Sequence, residues 1–361
     1  MKKHGIVLLA MAAAALGLAA LAACGLAACN DTGDTPGGDT PGGNTPGGNA
    51  GNEYLVFETL ADGSLQVSAD SGKEVPEEIV IPSEYEGKPV TAVKAQGFAL
   101  NRAEGLERVV IPEGVTSIGE NAFYNLNTLE SAVLPDSLIE MGMNAFAGCT
   151  ALQDIEFGSG LSVIPVGAFG GCAIASLTLP ETVTDIYYDA FRGCRKLTSV
   201  TLPDSVTYLG SSVFAECEAL TEVTLPKGLA SIENATFRAC GSLAKIEIPA
   251  GVKSIGSSAF DGCALKEIAL PEGVASIGRE AFKDCAFEEI EIPKSVTTIE
   301  ADAFFGCDEL ERVVFEDPEN WTRYISPEDV REPVPAAELA DPTGAAVLLK
   351  DSYRLFTLEK Q

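Results

Sequence analysis

Cysteine is the side chain of this sequence with the widest chemistry, because a thiolate can attack a substrate, bind a metal or form a disulfide. Eight cysteines each follow a phenylalanine by three residues: Cys149, Cys172, Cys194, Cys217, Cys240, Cys263, Cys285 and Cys307. A metal needs ligands that converge, whereas side chains repeated at a fixed interval line up along an axis. Parallel side chains are also poorly angled for disulfides. We therefore predict a column of buried thiols that behave as small hydrophobic groups, without bound metal.

Histidine is confined to His4, which lies in a predicted leader. The mature chain would then have no imidazole, which excludes Ser-His-Asp and Cys-His catalysis and every zinc site that needs histidine. A carboxylate enzyme remains an open alternative, although no pair of acids stands out. We predict that the protein is not an enzyme and has neither catalytic residues nor a cofactor.

Phenylalanine sets the framework that must position these residues. It recurs at Phe98, Phe123, Phe146, Phe169, Phe191, Phe214, Phe237, Phe260, Phe282 and Phe304. After a first gap of 25 residues, every interval is 22 or 23 residues. A period of this size predicts stacked repeats, each contacting its neighbours. Such a solenoid favours binding over a long surface rather than catalysis in a cleft.

A single repeat shows why the units must stack. Val223 and Leu225 are two residues apart and share one face of a short strand, which Pro226 ends. A unit buries about six large side chains at about 1.5–3 kcal/mol each, while ordering costs about 1.5 kcal/mol per residue. Neighbouring units must therefore pair their strands into a parallel sheet. Three units lose one residue directly after Cys172, Cys263 and Cys285, in a turn that we expect to tolerate the deletion.

The repeats resemble the BspA-type leucine-rich repeat, with its L-P-x-x-[VL]-x-x-I-x-x-x-A-F-x-x-C unit. Matching Ala-Phe pairs begin at Ala122, Ala145, Ala168, Ala190, Ala259, Ala281 and Ala303. The departures are Leu126 in the cysteine position, Gly158 for proline, and Val213 and Thr236 for alanine. The resemblance covers roughly residues 75–315 and implies a mainly β, right-handed solenoid with a parallel sheet on one face. It also implies a cell-surface protein of a host-associated microbe, often an adhesin for extracellular-matrix proteins or other cells.

The chain ends depart from the repeat. We predict a signal peptide over 1–23, a disordered Pro/Gly-rich tether over 24–52, an N-terminal β-hairpin cap over 53–75, a solenoid over 76–315 and a C-terminal cap over 316–361. The tether contains three pentamers that begin with Thr-Pro-Gly-Gly, which cannot bury a core. In the C-terminal cap, Asp341-Pro342 predicts the start of a short helix that continues to about Tyr353.

The leader combines Lys2 and Lys3 with a long uncharged run, which is typical of a secretory signal. Leu21-Ala22-Ala23-Cys24 resembles a bacterial lipobox, and so does the segment that ends at Cys29. By that resemblance the cysteine is acylated and becomes the new N-terminus. Cys24 is favoured because it ends a leader of ordinary length, with Cys29 as the alternative. A membrane-spanning anchor is the competing interpretation.

The net charge and the outward strand positions limit which partners the protein can bind. The formal net charge is −29, and removal of Lys2 and Lys3 leaves 22 basic and 53 acidic side chains, a net of −31. Such a field repels nucleic acid and anionic surfaces. The outward strand positions are polar and lack aromatics, and a calcium site near Glu289 and Glu291 is less favoured there than a solvated acidic face.

Three tyrosines stand where most units have glycine or a small polar residue: Tyr187, Tyr188 and Tyr208. Stacking should bring Tyr208 beside Tyr187, and clustered exposed tyrosines favour a protein contact. The alternative is that they are isolated surface residues.

The sequence as a whole predicts a monomeric, lipid-anchored protein on a bacterial cell surface, touching the membrane through its N-terminal lipid alone. Its expected partner is a protein, such as an extracellular-matrix or surface protein with basic patches. The alternative function is a non-binding spacer of the cell envelope.

Replacement of Cys24 by Ser should abolish acylation, because the lipid-accepting thiol would be lost. Metabolic labelling with a fatty acid measures this directly. Labelling that persists in Cys24→Ser and disappears in Cys29→Ser would assign the lipid to Cys29. Labelling that persists when both are replaced would contradict a lipoprotein.

Overall fold

The computed structural model describes residues 52–99, 103–325, 330–350 and 356–361. These residues belong to a compact unit that spans Asn49–Gln361. The predicted signal peptide, both candidate lipidation sites and nearly all of the tether lie outside the described residues. No helix among the described residues is long and apolar enough to cross a bilayer.

Short strands dominate the described residues. Strands β1 to β12 are Leu55–Thr59, Leu65–Ala69, Glu78–Val80, Glu84–Tyr85, Lys88–Val93, Arg108–Val110, Ser117–Ile118, Ser131–Val133, Glu140–Met141, Asp154–Glu156, Val163–Ile164 and Ser176–Thr178. Strands β13 to β25 are Asp185–Ile186, Ser199–Thr201, Tyr208–Leu209, Glu222–Thr224, Ser231–Ile232, Ser254–Ile255, Ser276–Ile277, Glu289–Ile292, Thr298–Ile299, Arg312–Phe315, Trp321–Ile325, Val330–Pro333 and Phe356–Lys360. Helices α1 and α2 are Ala336–Ala340 and Pro342–Lys350. The mainly β solenoid with a parallel sheet is therefore confirmed.

Each turn of the solenoid contributes to two parallel ladders. The primary ladder contains the predicted strands and includes β3, β6, β8 and β10, which pair in that order. In β16, Glu222 and Thr224 are exposed, while Val223 between them packs against the core. The secondary ladder contains two-residue strands such as β17, β18 and β19, in which a serine faces outwards and an isoleucine is buried. The repeat pattern predicted coil, rather than strands, at these residues.

The primary ladder is interrupted. It is hydrogen-bonded as β3 to β10, β12 to β16 and β20 to β22, with one isolated bridge between Lys245 and Glu267. Asp154 and Ser176 are the equivalent strand residues on either side of the first break and are 22 residues apart, whereas the paired Ser131 and Asp154 are 23 apart. The residue lost after Cys172 therefore coincides with a break in the sheet. The break after β16 has no such deletion, and nothing in the structure explains it.

The phenylalanines form a continuous ring stack through the core. Neighbouring rings from Phe98 to Phe304 lie 4.8–5.8 Å apart between centroids and are nearly parallel. Every ring of the stack is fully buried. Aromatic pairs at this spacing stabilise each other by about 0.5–1.5 kcal/mol beyond their burial, so each turn depends on the rings above and below it.

Left-handed backbone flanks the phenylalanines. In the turn around Phe123, Asn121 and Asn125 have φ angles of 54° and 59°. Glycine, asparagine and aspartate occupy many equivalent positions, but Ala235 and Ala239 adopt the same conformation, with φ angles of 54° and 58°. This backbone costs an L-residue about 1–2 kcal/mol. The stack on either side must hold the turn in place.

The eight repeat thiols are buried and free. Each donates a hydrogen bond to the main-chain carbonyl of the phenylalanine in the preceding turn, at 3.0–3.4 Å between sulfur and oxygen. Burial raises the pKa of the Cys194 thiol to about 12. The thiols therefore remain protonated and link successive turns along the axis. Among the described residues, no three Cys, Asp, Glu or His side chains are arranged to hold a metal.

Both ends of the secondary ladder are covered by other strands. At the N-terminal end, β1 and β2 form the predicted antiparallel hairpin, and β2 pairs with β5. At the C-terminal end, β25 pairs antiparallel with β21 and with β23. The exposed strand edges of a solenoid are closed in this way.

The C-terminal cap is larger than the sequence indicated. Helix α2 begins at the predicted Pro342, and the main-chain nitrogen of Thr343 donates to Asp341 Oδ1 at 3.2 Å. Helix α2 also packs on β22, the last strand of the primary ladder. Helix α1 and strands β23, β24 and β25 were not predicted. Trp321 is buried against Phe315, with ring centroids 5.4 Å apart.

Replacement of Cys194 by Ala should reduce the loss of stability in alkali. The folded-state pKa of Cys194 is about 12, above the value of about 8.5 for an exposed thiol. The folded state thus keeps a proton that the unfolded state has lost. This contribution to stability is present below about pH 8.5 and is lost as the pH rises towards the folded value.

Urea unfolding at a series of alkaline pH values measures the effect. The wild-type free energy of unfolding should fall more steeply than that of Cys194→Ala, by about 1.4 kcal/mol per pH unit. Ser242→Ala, at an exposed position, serves as the control and should keep the wild-type slope. Equal slopes for all three proteins would contradict a buried, protonated thiol.

Candidate protein-binding surface

The three predicted tyrosines lie at the secondary ladder. Tyr208 faces outwards from β15, and its backbone partner in β13 is Asp185. Tyr187 directly follows β13, and its ring centroid lies 5.6 Å from that of Tyr208, with the planes tilted by 58°. The structure therefore brings these two rings together as expected. Tyr188 lies beside them in sequence but is not part of this ring contact.

All three tyrosine side chains remain accessible. Tyr187, Tyr188 and Tyr208 are 39%, 49% and 40% exposed. Burial, followed by the charge of Glu233, raises the pKa of Tyr208. The phenol therefore stays neutral at physiological pH and can donate a hydrogen bond while its ring contacts apolar atoms.

Three apolar residues that were not predicted, Ile139, Met143 and Val166, extend this surface. The main-chain nitrogen of Asn144 donates to the carbonyl of Val166 at 2.9 Å, and that of Gly167 donates to the carbonyl of Tyr188 at 3.1 Å. These bonds place Met143, Val166 and Tyr188 at the same position of three successive turns. Met143 is 45% exposed and Ile139 is 66% exposed.

We name this surface the apolar strip. Its members are Ile139, Met143, Val166, Tyr187, Tyr188 and Tyr208. Other turns place Glu120, Ser211, Asn234 and Ser257 at the position of Tyr188. Alignment of the turns on phenylalanine would have revealed the strip, because only outward positions vary freely in a repeat.

Acidic side chains lie before and within the apolar strip, since Glu140 stands between Ile139 and Met143 and Asp185 pairs with Tyr208. The loops that lead into the secondary ladder span 134–140, 157–163, 179–185 and 202–208, and they contain no Lys or Arg. Their carboxylates, which we name the acidic margin, are Asp136, Glu140, Glu181, Asp185 and Asp204. Asp204 Oδ2 lies 3.3 Å from Lys227 Nζ, and both side chains are exposed. Within the described chain, no ion pair involves Glu140, Glu181 or Asp185.

The residues that directly follow Met143, Val166 and Tyr188 line a trough of about 640 Å³. Its lining also includes Gly170, Gly171 and Arg192. Arg192 Nη2 lies 2.7 Å from Glu216 Oε1, and this hydrogen bond raises the arginine pKa. Arg195 Nε lies 3.2 Å from Glu218 Oε1. Arg192 and Arg195 are therefore paired with acids of the next turn, whereas Lys196, which also lines the trough, has no ion pair among the described residues.

The outward face of the primary ladder is mostly polar, with Val80 as an exposed apolar exception. Arg108 Nε lies 3.2 Å from Glu78 Oε1, and Arg312 Nε lies 3.8 Å from Glu289 Oε2. Glu289, one of the residues considered for calcium, thus has a basic neighbour in the next strand. A second depression, of about 590 Å³, lies near the isolated bridge between Lys245 and Glu267. These groups can make ion pairs and hydrogen bonds, but they offer no aromatic contact.

Comparison with known proteins agrees with the solenoid fold. The sequence pattern of the BspA type leucine rich repeat region matches six copies, over residues 88–198, 162–286 and 230–326. A leucine-rich repeat protein from Bacteroides ovatus is 29% identical, with 73% of this chain and 70% of that chain covered and a TM-score of 0.66.

Two further solved structures are similar to the chain. A leucine rich cell surface protein from Faecalibacterium prausnitzii is 28% identical, with coverage of 73% and 87% and a TM-score of 0.46. The T. pallidum leucine rich repeat protein is 27% identical, with coverage of 58% and 86% and a TM-score of 0.44. No curated protein matches the chain. Since the repeat pattern spans more than half of the sequence, the chain belongs to the BspA-type leucine-rich repeat family.

Proposed function

We propose that this protein binds macromolecules of a host or of neighbouring cells through protein–protein contacts, as an adhesin does. The observation that carries the proposal is the exposed contact between Tyr187 and Tyr208. Tyrosine is enriched in protein interfaces because its ring gives a large contact area and its hydroxyl group can hydrogen-bond. The repeat itself requires neither ring.

The proposed location is the outer surface of a bacterial cell, with a lipid on Cys24, or on Cys29, as the membrane anchor. The cationic start, the apolar run and the two lipobox-like segments support this location. The Pro/Gly-rich tether would hold the folded part away from the membrane. About 22 residues of this composition reach roughly 25 Å on average.

The proposed partner is a protein with basic patches rather than nucleic acid. The formal charge of −29 attracts cationic segments and repels polyanions. We propose no catalytic role, because the one histidine lies in the predicted leader and no acid pair stands out in the sequence. The leucine-rich repeat solenoid is a scaffold that typically mediates protein interaction.

Binding should be found when the full chain is tested against an array of host extracellular and cell-surface proteins. Association with a ligand should slow as ionic strength rises, since screening shortens the reach of charge to about 8 Å at physiological salt. Surface plasmon resonance at low and high salt measures the association rate constant. A reducing agent should be present throughout, to keep thiols of unfolded chains from coupling to the array.

The binding function would be contradicted if the protein bound no member of the array and bound neither intact host cells nor intact bacterial cells. That result would favour the alternative of a non-binding spacer of the cell envelope. An association rate that is indifferent to salt would contradict the electrostatic part of the proposal. Matched measurements with a neutral solute in place of salt control for viscosity and osmolarity.

A further inference from the structure

We propose that the apolar strip is the docking surface and that it receives a protein segment that combines apolar side chains with lysine or arginine. The acidic margin would pair with those basic side chains. This inference rests on the proposed binding function and adds the face that binds and the chemistry of the partner. The proposed surface lies along the secondary ladder and not on the outward face of the primary ladder.

The apolar strip gathers exposed apolar side chains in neighbouring turns, whereas Val80, Tyr124 and Phe305 are exposed apolar residues elsewhere in the chain. The strip is confined to three successive turns and the start of a fourth, from Ile139 to Tyr208. Before it, the equivalent position holds Glu120, and after it come Ser211 and Asn234. Contiguous exposed apolar surface costs solubility and marks interaction sites in monomeric proteins.

The fold does not need these side chains. The buried partners in the same strands are Met141, Ile164, Ile186 and Leu209, which point into the core. Ile139 and Tyr188 are 66% and 49% exposed, so their truncation leaves the ring stack and the thiol column intact. Stability and binding can therefore be separated at this surface by mutation.

Charge selects the partner and its orientation. The acidic margin holds five carboxylates and no base over four loops. Asp204 alone pairs with an exposed lysine there, while Thr184 Oγ1 donates to Asp185 Oδ2 at 2.7 Å. In the neighbouring trough, Arg192 pairs with Glu216, and Lys196 has no ion pair among the described residues. A partner thus gains most by turning its basic side chains towards the margin.

A random dodecapeptide library displayed on phage is the probe, selected on the full chain. We expect enriched peptides that join aromatic or aliphatic residues to Lys or Arg. A synthetic peptide of the enriched sequence is then titrated against variants by calorimetry. The combined change Tyr187→Ala, Tyr188→Ala and Tyr208→Ala should weaken binding at least about tenfold, as for central interface residues.

A charge-matched pair of variants separates local from overall electrostatics. Combined Glu140→Gln, Glu181→Gln and Asp185→Asn should weaken binding several-fold at low salt. The control replaces three exposed acids of the primary ladder face by Gln and changes the net charge equally: Glu222, Glu247 and Glu291. Tyr124→Ala is the aromatic control, because Tyr124 is 41% exposed and lies outside the strip. Both controls should bind as wild type, and thermal unfolding should show that all variants are folded.

Several outcomes would overturn the inference. They are a library that yields no enriched peptide, affinity that survives the tyrosine changes, and equal weakening by the two three-acid variants. Sedimentation of the wild type as a dimer that the tyrosine changes dissociate would assign the strip to a second copy instead. If an array ligand binds the strip and margin variants unchanged, the binding function stands and this surface is ruled out as its site.

Discussion

Each turn of this protein completes its hydrogen bonds and its packing through the next turn along the axis. The main-chain nitrogen of Phe237 donates to the carbonyl of Ala259 at 2.9 Å, and the thiol of Cys263 donates back to the carbonyl of Phe237 at 3.1 Å. The rings of Phe237 and Phe260 stack between the same two turns. A single turn has few such partners of its own, so stability is a property of neighbouring pairs.

This dependence explains which features tolerate change. Left-handed backbone at Ala235 and Ala239 is held in place although alanine disfavours it. Thr236 replaces the usual alanine and is fully buried, but its hydroxyl group donates to the carbonyl of Glu233 at 2.8 Å. The primary ladder breaks beside Ser176, while the ring stack continues without interruption through Phe169 and Phe191. The core, rather than the sheet, maintains the register of the turns.

Features that repeat at a fixed interval, or that have a local sequence motif, were predictable from the sequence. The phenylalanine period implied the ring stack, the fixed offset of cysteine implied buried thiols, and Asp341-Pro342 implied the start of α2. The secondary ladder was not predicted, because Ser231-Ile232 is too short for an alternating pattern and gains its hydrogen bonds from other turns. The left-handed positions were obscured by alanine, serine and glutamate among the glycines and asparagines.

The candidate surface likewise contains some residues that were predicted and others that were not. Tyr187 and Tyr208 were predicted to meet because the period fixes which residues stack. Ile139 and Met143 were not predicted, because an apolar residue in a single repeat looks like core until the turns are aligned on phenylalanine, and the structure shows both side chains exposed. The strands of the C-terminal cap were missed for another reason: β25 pairs with β21 and β23 across long sequence separations. Pairing of that kind leaves no local pattern.

The central claim is that the register between successive turns, set by phenylalanine and cysteine, holds the fold together. Deletion of 215–237 removes one period of 23 residues and joins Phe214 to Arg238 in register. Deletion of 215–234 removes 20 residues and joins the chain out of register. Urea unfolding followed by circular dichroism compares the two. We predict that the in-register protein unfolds cooperatively with reduced stability and that the out-of-register protein loses cooperative unfolding. Equal behaviour of the two deletions would contradict the account.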